Sequence, residues 1–431
     1  MSSVPPTAAA LTSLARTRPA PAGTALLRSA LHTRRLVLLK ALLVRARSER
    51  DAVDPEVFRR FETSWRLLEQ VERRCPGVVR DVLDYPTTGL WLAVALTGRT
   101  GPSLDRHLGR LESLAVTAAL RAGSPLDLAV EAPGGLLSLP GVGRLRLRGP
   151  GPVRIRARSR VVRLYDEGAP YAAPTVLLLT DRRDGTLVGR GPDWTGLPVL
   201  PGSTARLDDL DPYRVPPGGF GDPVRTATDH AATDRSGWAA HWRAAQDLLR
   251  RVDADRAAEI SRAVRALVPL EPTGPRSVGA TMSAAPGAVL TSPAAGAPDL
   301  AETLVHEIHH SKLATLHELV PLYASGRTAL HRVGWRPDPR PVAGVFQGAY
   351  AHLALADLWR RAAASPQAPG SWRRHAGQQF DDIHDQVGEA LTILVQSDEL
   401  TMEGREFAIG MAEHHASLGG RPPHRAWSHC V

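Results

Sequence analysis

The run from Leu300 to Leu319 restricts this chain more than any other stretch, because its pattern demands a helix that is largely buried. Leu300, Leu304, Val305, Ile308, Leu313, Leu316 and Leu319 recur at three- and four-residue steps, and Val320 continues the series. That spacing lines one face of a helix with 3.6 residues per turn. Asp299 and Glu302 read as a capping pair at its start, and Pro321 marks its end. Inside this helix stands His306-Glu307-Ile308-His309-His310. His306 and His310 fall one turn apart on one face, near enough for both imidazoles to reach one divalent ion. Glu307 is rotated to the flank, where it can address a metal-bound water or orient a ligand. His309 points away from the pair and reads as a packing or substrate-facing residue. His317 returns to the same face but lies about 10 Å further along the axis at 1.5 Å per residue. It cannot share the ion.

Two imidazoles leave a tetrahedral or octahedral site short of protein donors, and the next one usually comes from a second helix. The stretch from Gln347 to Trp359 is helical in pattern and largely apolar, and His352 interrupts it. His352 is therefore the leading candidate for third ligand, with Asp357, Glu389 and Glu403 as weaker choices.

The rest of the chain divides by texture into an α+β protein. Residues 1–24, rich in Ser, Pro, Ala and Thr, read as a flexible N-terminal arm without the apolar core of a secretory signal. Residues 25–125 read as a helical N-terminal unit, with Leu36, Leu39, Leu43, then Phe58, Phe61, Trp65 and Leu68, at helical spacing. Residues 126–222 turn β-rich: Leu136 to Leu139, Val153 to Ile155, Val161 to Leu164 and Thr175 to Leu179 read as strands, with a hairpin signal at Asp184-Gly185 and a linker from Pro216 to Asp222. Residues 223–420 form a mainly helical, metal-binding C-terminal domain around the His306–His310 helix. Within it Trp238, Trp242, Leu249, Ile260, Val264 and Leu267 suggest amphipathic helices, and Ser277 to Ser292 a strand or hairpin. Residues 421–431 are a tail.

Bulk composition narrows the functional classes. Over 431 residues the formal charge is +9, yet the basic residues are dispersed and nearly all Arg, with Lys only at Lys40 and Lys312. Dispersed Arg does not make a nucleic-acid-binding stripe, so nucleic acid is not expected as a partner. The longest apolar runs fall short of a bilayer span, so no membrane segment is expected. Cys75 and Cys430, far apart, make neither a disulfide framework nor a cysteine metal cage. A cytoplasmic protein is the expectation.

The run Leu304-Val305-His306-Glu307-Ile308-His309-His310-Ser311-Lys312-Leu313, continuing to Glu318-Leu319-Val320-Pro321-Leu322, resembles the HExxH-domain proteins of bacterial peptide-modification gene clusters. Within that family these are the 2-oxoglutarate-dependent HExxH-type peptide β-hydroxylases. Further similar runs are Leu207 to Arg214, Trp335 to Pro341 and Gly344 to His352, so the likeness extends roughly from Leu136 to Met411. This sequence departs from the family at His309, where Gln is frequent, and at His317, where an apolar residue is frequent.

The resemblance implies iron(II) held by His306, His310 and His352, with open positions for 2-oxoglutarate and dioxygen. It implies hydroxylation of the β carbon of a residue in a ribosomally made precursor peptide, the partner, with succinate and carbon dioxide as coproducts. The distal carboxylate of 2-oxoglutarate then needs a cation, for which Arg340 is the first choice and Lys312 the second. Glu307 would orient a ligand or water. The competing expectation is a zinc metallopeptidase in which Glu307 is the general base on a zinc-bound water.

Overall fold

The computed structural model describes residues 8–98, 102–181, 185–274, 277–324, 326 and 329–419. The expected tail at 421–431, Cys430, and Asp184 of the hairpin signal lie outside these residues. Helices occupy both ends of the chain and strands its middle, an α+β arrangement. The first helices are α1 (Ala8–Ala15), α2 (Pro21–Ser48), α3 (Pro55–Arg74), α4 (Pro76–Leu83), α5 (Pro86–Thr97), α6 (Pro102–Leu108) and α7 (Arg110–Arg121). From α2 to α6 each begins on a proline, whose fixed φ suits the first turn and whose missing N–H is not needed there. In α3, Phe58, Phe61, Ser64, Leu68 and Val71 are buried at helical spacing, and the Asp54 side chain caps the helix by accepting from the Glu56 and Val57 amides.

The middle of the chain holds β1 (Leu126–Val130), β2 (Leu136–Leu139), β3 (Gly143–Arg146), β4 (Val153–Arg158), β5 (Val161–Asp166), β6 (Thr175–Asp181), β7 (Thr186–Arg190), β8 (Trp194–Gly196) and β9 (Arg206–Leu207). An antiparallel sheet of order β1-β4-β5-β6-β7 packs with a smaller β2-β3-β8 sheet against Val116 and Leu120 of α7. On β4 the alternation is strict: Val153, Ile155 and Ala157 point into the core while Arg154, Arg156 and Arg158 face outward. Each run read as a strand falls within β2, β4, β5 or β6.

The last third comprises α8 (Arg235–Val252), α9 (Ala254–Ala263), β10 (Ala266–Pro269), β11 (Gly279–Ala280), β12 (Ala288–Thr291), α10 (Ala297–Leu319), β13 (Leu330–Val333), β14 (Arg336–Pro341), α11 (Val342–Ala364), α12 (Gly370–Gln396) and α13 (Met402–Leu418). The expected hairpin at 277–292 is the antiparallel pair β11 and β12. Val264 and Leu267, expected on a helix, instead bracket the start of β10, a strand buried at every position and parallel to β9 and β12. A short apolar run flanked by strands on both sides has the same periodic signature as a helix end, and only pairing decides between them.

Two further expectations change. Residues 8–24 are not a loose arm. Leu14 and Ala15 of α1 are buried in the same core as α8, α10 and α11, and the Leu14 carbonyl accepts from the Tyr350 hydroxyl at 2.8 Å. Asp299 and Glu302 are not a capping pair. The helix starts three residues earlier, after Gly296. Asp299 accepts from the Ser277 hydroxyl and the Ala295 amide, and Glu302 accepts from the Trp372 indole.

The run Leu207 to Arg214 joins the helical N-terminal part to the rest. Tyr85 donates to Asp208 at 2.8 Å, Thr87 and Arg110 donate to Asp211, and Arg235 forks onto Asp209 at 2.6 and 2.8 Å. Burial, then the neighbouring Asp211, pushes the Asp208 carboxyl up to about 6. Among the described residues no helix is long and apolar enough to cross a membrane.

Candidate metal centre

Helix α10 is buried on most of its circumference, between α8 on one side and α11 on the other. Its companion α11 is the run predicted to carry the third donor, and it packs on α10 through Val345, Phe346, Ala349, Leu353 and Ala356. This packing converts spacing along two helices into one cluster. The Nε2 atoms of His306 and His310 stand 3.0 Å apart, and the His352 ring centroid lies 4.9 Å from that of His306.

The hydrogen bonds on the other ring nitrogens aim the donors. His310 donates through Nδ1 to Gln347 Oε1 at 3.2 Å, and His352 donates through Nδ1 to the Gly348 carbonyl at 2.8 Å. With its Nδ1 proton so engaged, each of these imidazoles has Nε2 left as a lone pair. Trp335, from the turn between β13 and β14, stacks on His352 with centroids 4.6 Å apart and planes 25° from parallel. Burial holds all three imidazoles neutral. It lowers His306 well below the usual range, helped by His310 and His352, and lowers His352 to about 4. Burial also lowers His310, against the pull of Gln347.

The His306–His310 pair has the spacing of two ligands of one divalent metal. Two nitrogens held about 2.1 Å from one ion lie about 3.0 Å apart at a right angle and about 3.4 Å apart at the tetrahedral angle. The separation of 3.0 Å is within reach of both arrangements. Among the described residues no group of three or more His, Cys, Asp or Glu side chains is placed to hold a metal ion together. The His306–His310 pair is in ligand register, and the His352 ring is in edge contact beside it.

Glu307 lies to the side, as its position in the helix requires. It is buried against β11, and a Cβ built on Gly279 would stand 2.7 Å from its Oε1 and 2.8 Å from Thr303 Cγ2. Burial pushes its carboxyl up to about 7, although the Thr281 hydroxyl hydrogen-bonds it. Only glycine permits this close approach of strand and helix. Gly279→Ala is expected to cost about 1–3 kcal/mol through overpacking, read as a lowered urea midpoint with an unchanged slope.

The remaining candidates go elsewhere. Lys312, second choice for a carboxylate anchor, is buried and bonds Glu259 at 2.8 Å. Arg340, the first choice, sits on β14 and pairs with Asp338 at 2.7 Å, while its Nε is buried without a partner. Asp357 is taken up by Arg256 at 3.3 Å. Glu389 lines a groove between α12 and α13 with His384 and His415, and Glu403 occupies the first turn of α13. His309 is a core residue: Nδ1 donates to the Val305 carbonyl, and Nε2 accepts from Arg256 at 3.2 Å. His317 accepts from the Leu322 amide at the helix end and stacks on Tyr323.

No protein-family model and no curated protein matches this chain. Its functional reading therefore rests on the site and on the motif resemblance.

Reading the motifs for ligands alone missed the supports, Gln347, Trp335 and the Gly348 carbonyl. Their signal was present, since all three lie in the Trp335 and Gly344 runs that carry the resemblance. Gln347 also hydrogen-bonds the Tyr323 hydroxyl, so its amide is held from two sides. Gln347→Leu is expected to weaken metal affinity about 10–100-fold, measured by competition titration with Co(II).

Proposed function

We propose that this chain is an iron(II)- and 2-oxoglutarate-dependent dioxygenase that hydroxylates the β carbon of a residue in a ribosomally made precursor peptide, in the cytoplasm. The observation that carries the reading is a cluster of three neutral imidazoles with the His306 and His310 Nε2 atoms 3.0 Å apart. Three imidazoles would give a site without a carboxylate ligand, unlike the carboxylate third ligand expected of the peptidase. The motif runs around His306 and Trp335 resemble the peptide β-hydroxylases and supply the substrate class.

In this reading His306, His310 and His352 would hold the iron. Iron with 2-oxoglutarate and dioxygen supplies the oxidation when bound. The chain's own residues fix where it happens. Gln347 and the Gly348 carbonyl hold two of the imidazoles in the tautomer that presents Nε2. Trp335 covers the outer face of His352 and keeps water from it. Arg340, although paired with Asp338, keeps an unpartnered Nε and would take the distal carboxylate of 2-oxoglutarate by exchanging that partner. Lys312 is not proposed for this role, because its ammonium is committed to Glu259.

One observation favours a second reading, a zinc metallopeptidase. Glu307, inside the motif, is buried, and burial raises it to about 7, the range of a general base. The two readings separate in one experiment. The protein is reconstituted anaerobically with iron(II), then given 2-oxoglutarate, oxygen and a candidate peptide. Hydroxylation predicts peptide-dependent succinate and a product heavier by one oxygen atom. Peptide cleavage under argon with zinc, and no succinate, would replace it with the peptidase.

A further inference from the structure

The face of α10 turned away from the histidine cluster borders a cavity of about 470 Å³. Helices α2, α4 and α9 complete its walls, and the β12 residue Val289 contributes to its lining. Leu27, Leu31, Val289 and Ile308 give it an apolar lining. Around this lining stand five cationic side chains and three carboxylates.

The carboxylates are all engaged. Asp81 pairs with Arg265 and Arg121, Asp84 with His32 at 2.9 Å, and Glu259 with Lys312 and Arg256. Arg28, Arg80 and Arg262, exposed residues at the border of the cavity, have no acidic partner among the described residues. A second cleft, of about 970 Å³ over Pro201 to Thr204, shares Arg28 and Arg262, so these two stand where the cavities meet. Independently, the Ser311 hydroxyl lines the first cavity and is buried with no hydrogen-bond partner. Like the other buried side-chain polar atoms that find no protein partner, this hydroxyl leaves a hydrogen bond open to a bound group or to water.

We propose that this cavity is a binding site for an organic anion with an apolar body, such as an alkyl phosphate or a long-chain carboxylate. The anion sits between Arg28, Arg80 and Arg262, which offer forked donors suited to phosphate or carboxylate oxygens. The apolar body lies against Leu27, Leu31, Val289 and Ile308. Ser311 supplies a hydrogen bond at the inner wall. Because Ser311 directly follows His310, the occupant lies against the helix that carries the histidines.

The test is calorimetric titration of the full chain with octyl phosphate below its micelle concentration, beside inorganic phosphate and octyl glucoside. The site predicts one octyl phosphate per chain, bound at least tenfold more tightly than either comparison. Arg28→Gln/Arg80→Gln/Arg262→Gln loses at least tenfold with its circular dichroism and melting temperature unchanged, and the corresponding Arg→Lys variant recovers part of the loss. Neutralising Arg156, Arg158 and Arg163, which are exposed on β4 and β5, changes nothing. Equal binding of octyl phosphate and octyl glucoside, equal binding of inorganic phosphate, or equal losses in the two triple variants overturns the proposal.

Discussion

Alanine in place of His306 or His310 is expected to abolish the proposed tight iron(II) binding while leaving the fold in place. Each variant is expected to lose on the order of a hundredfold or more in metal affinity, because three or four protein ligands together supply about 10–16 kcal/mol in a structural zinc site, roughly 3 kcal/mol each. Each imidazole is one of a pair whose Nε2 atoms stand 3.0 Å apart, so removing either breaks the one pair in ligand register and leaves a two-imidazole set. The fold tolerates the loss because neither residue is a main packing element. The core of α10 is Leu300, Leu304, Val305, Ile308, Leu313 and Leu316. His352→Ala should behave likewise, with the added loss of the Trp335 stack. Isothermal titration with Fe(II) under argon, paired with circular dichroism, reads both halves of the statement. Wild-type affinity in either the His306 or the His310 variant would remove the metal centre, and with it the hydroxylase reading.

The second large effect is on stability. Arg256→Met is expected to cost about 3–5 kcal/mol, the range for removing one partner of a buried ion pair. Arg256 is fully buried and donates to Glu259 at 3.1 Å, to Asp357 at 3.3 Å and to the Thr17 carbonyl at 2.5 Å. Without it Asp357 keeps only the partly exposed Arg361 and Arg18 as cationic partners. The Thr17 carbonyl loses its strongest donor, so α1 should fray as well. Chemical unfolding measures the loss, and a change below 1 kcal/mol would show that the network is dispensable.

The same network sets an acid limit. Burial raises the Glu259 carboxyl, but the charges and hydrogen bonds of Lys312 and Arg256 outweigh it, and the net displacement is below the ordinary 4.5. A carboxyl lower in the folded than in the unfolded chain stabilises the fold fully above its unfolded value. That contribution is lost as pH falls below about 4.5 and through the folded value. Arg256→Met should flatten this acid dependence as well as lower the plateau.

Local pattern was enough for the motif helix, the helical N-terminal part and the strands of the middle, because each of these buries one periodic face. It also singled out His352, a lone imidazole in an apolar helix, and that ring does lie beside His306. It failed where a partner far along the chain decides the outcome. The segment 8–24 reads as an arm because nothing in its composition announces Arg256 and Tyr350, which bond its carbonyls across more than two hundred residues. Lys312 reads as a free cation for the same reason: Glu259, its partner, lies 53 residues away.

What the sequence by itself determined is the pair of donors one turn apart and the helix that carries them, since 3.6 residues per turn places positions 306 and 310 on one face in any fold. Tertiary structure alone decided which further groups meet that pair. It brought His352, Gln347 and Trp335 to one side of α10, and closed Lys312, Arg256 and Asp357 into a buried network elsewhere in the core. Helical spacing acts over a few residues and is written in the chain. The pairing of buried charges depends on which surfaces lose water together, and that exists only after packing.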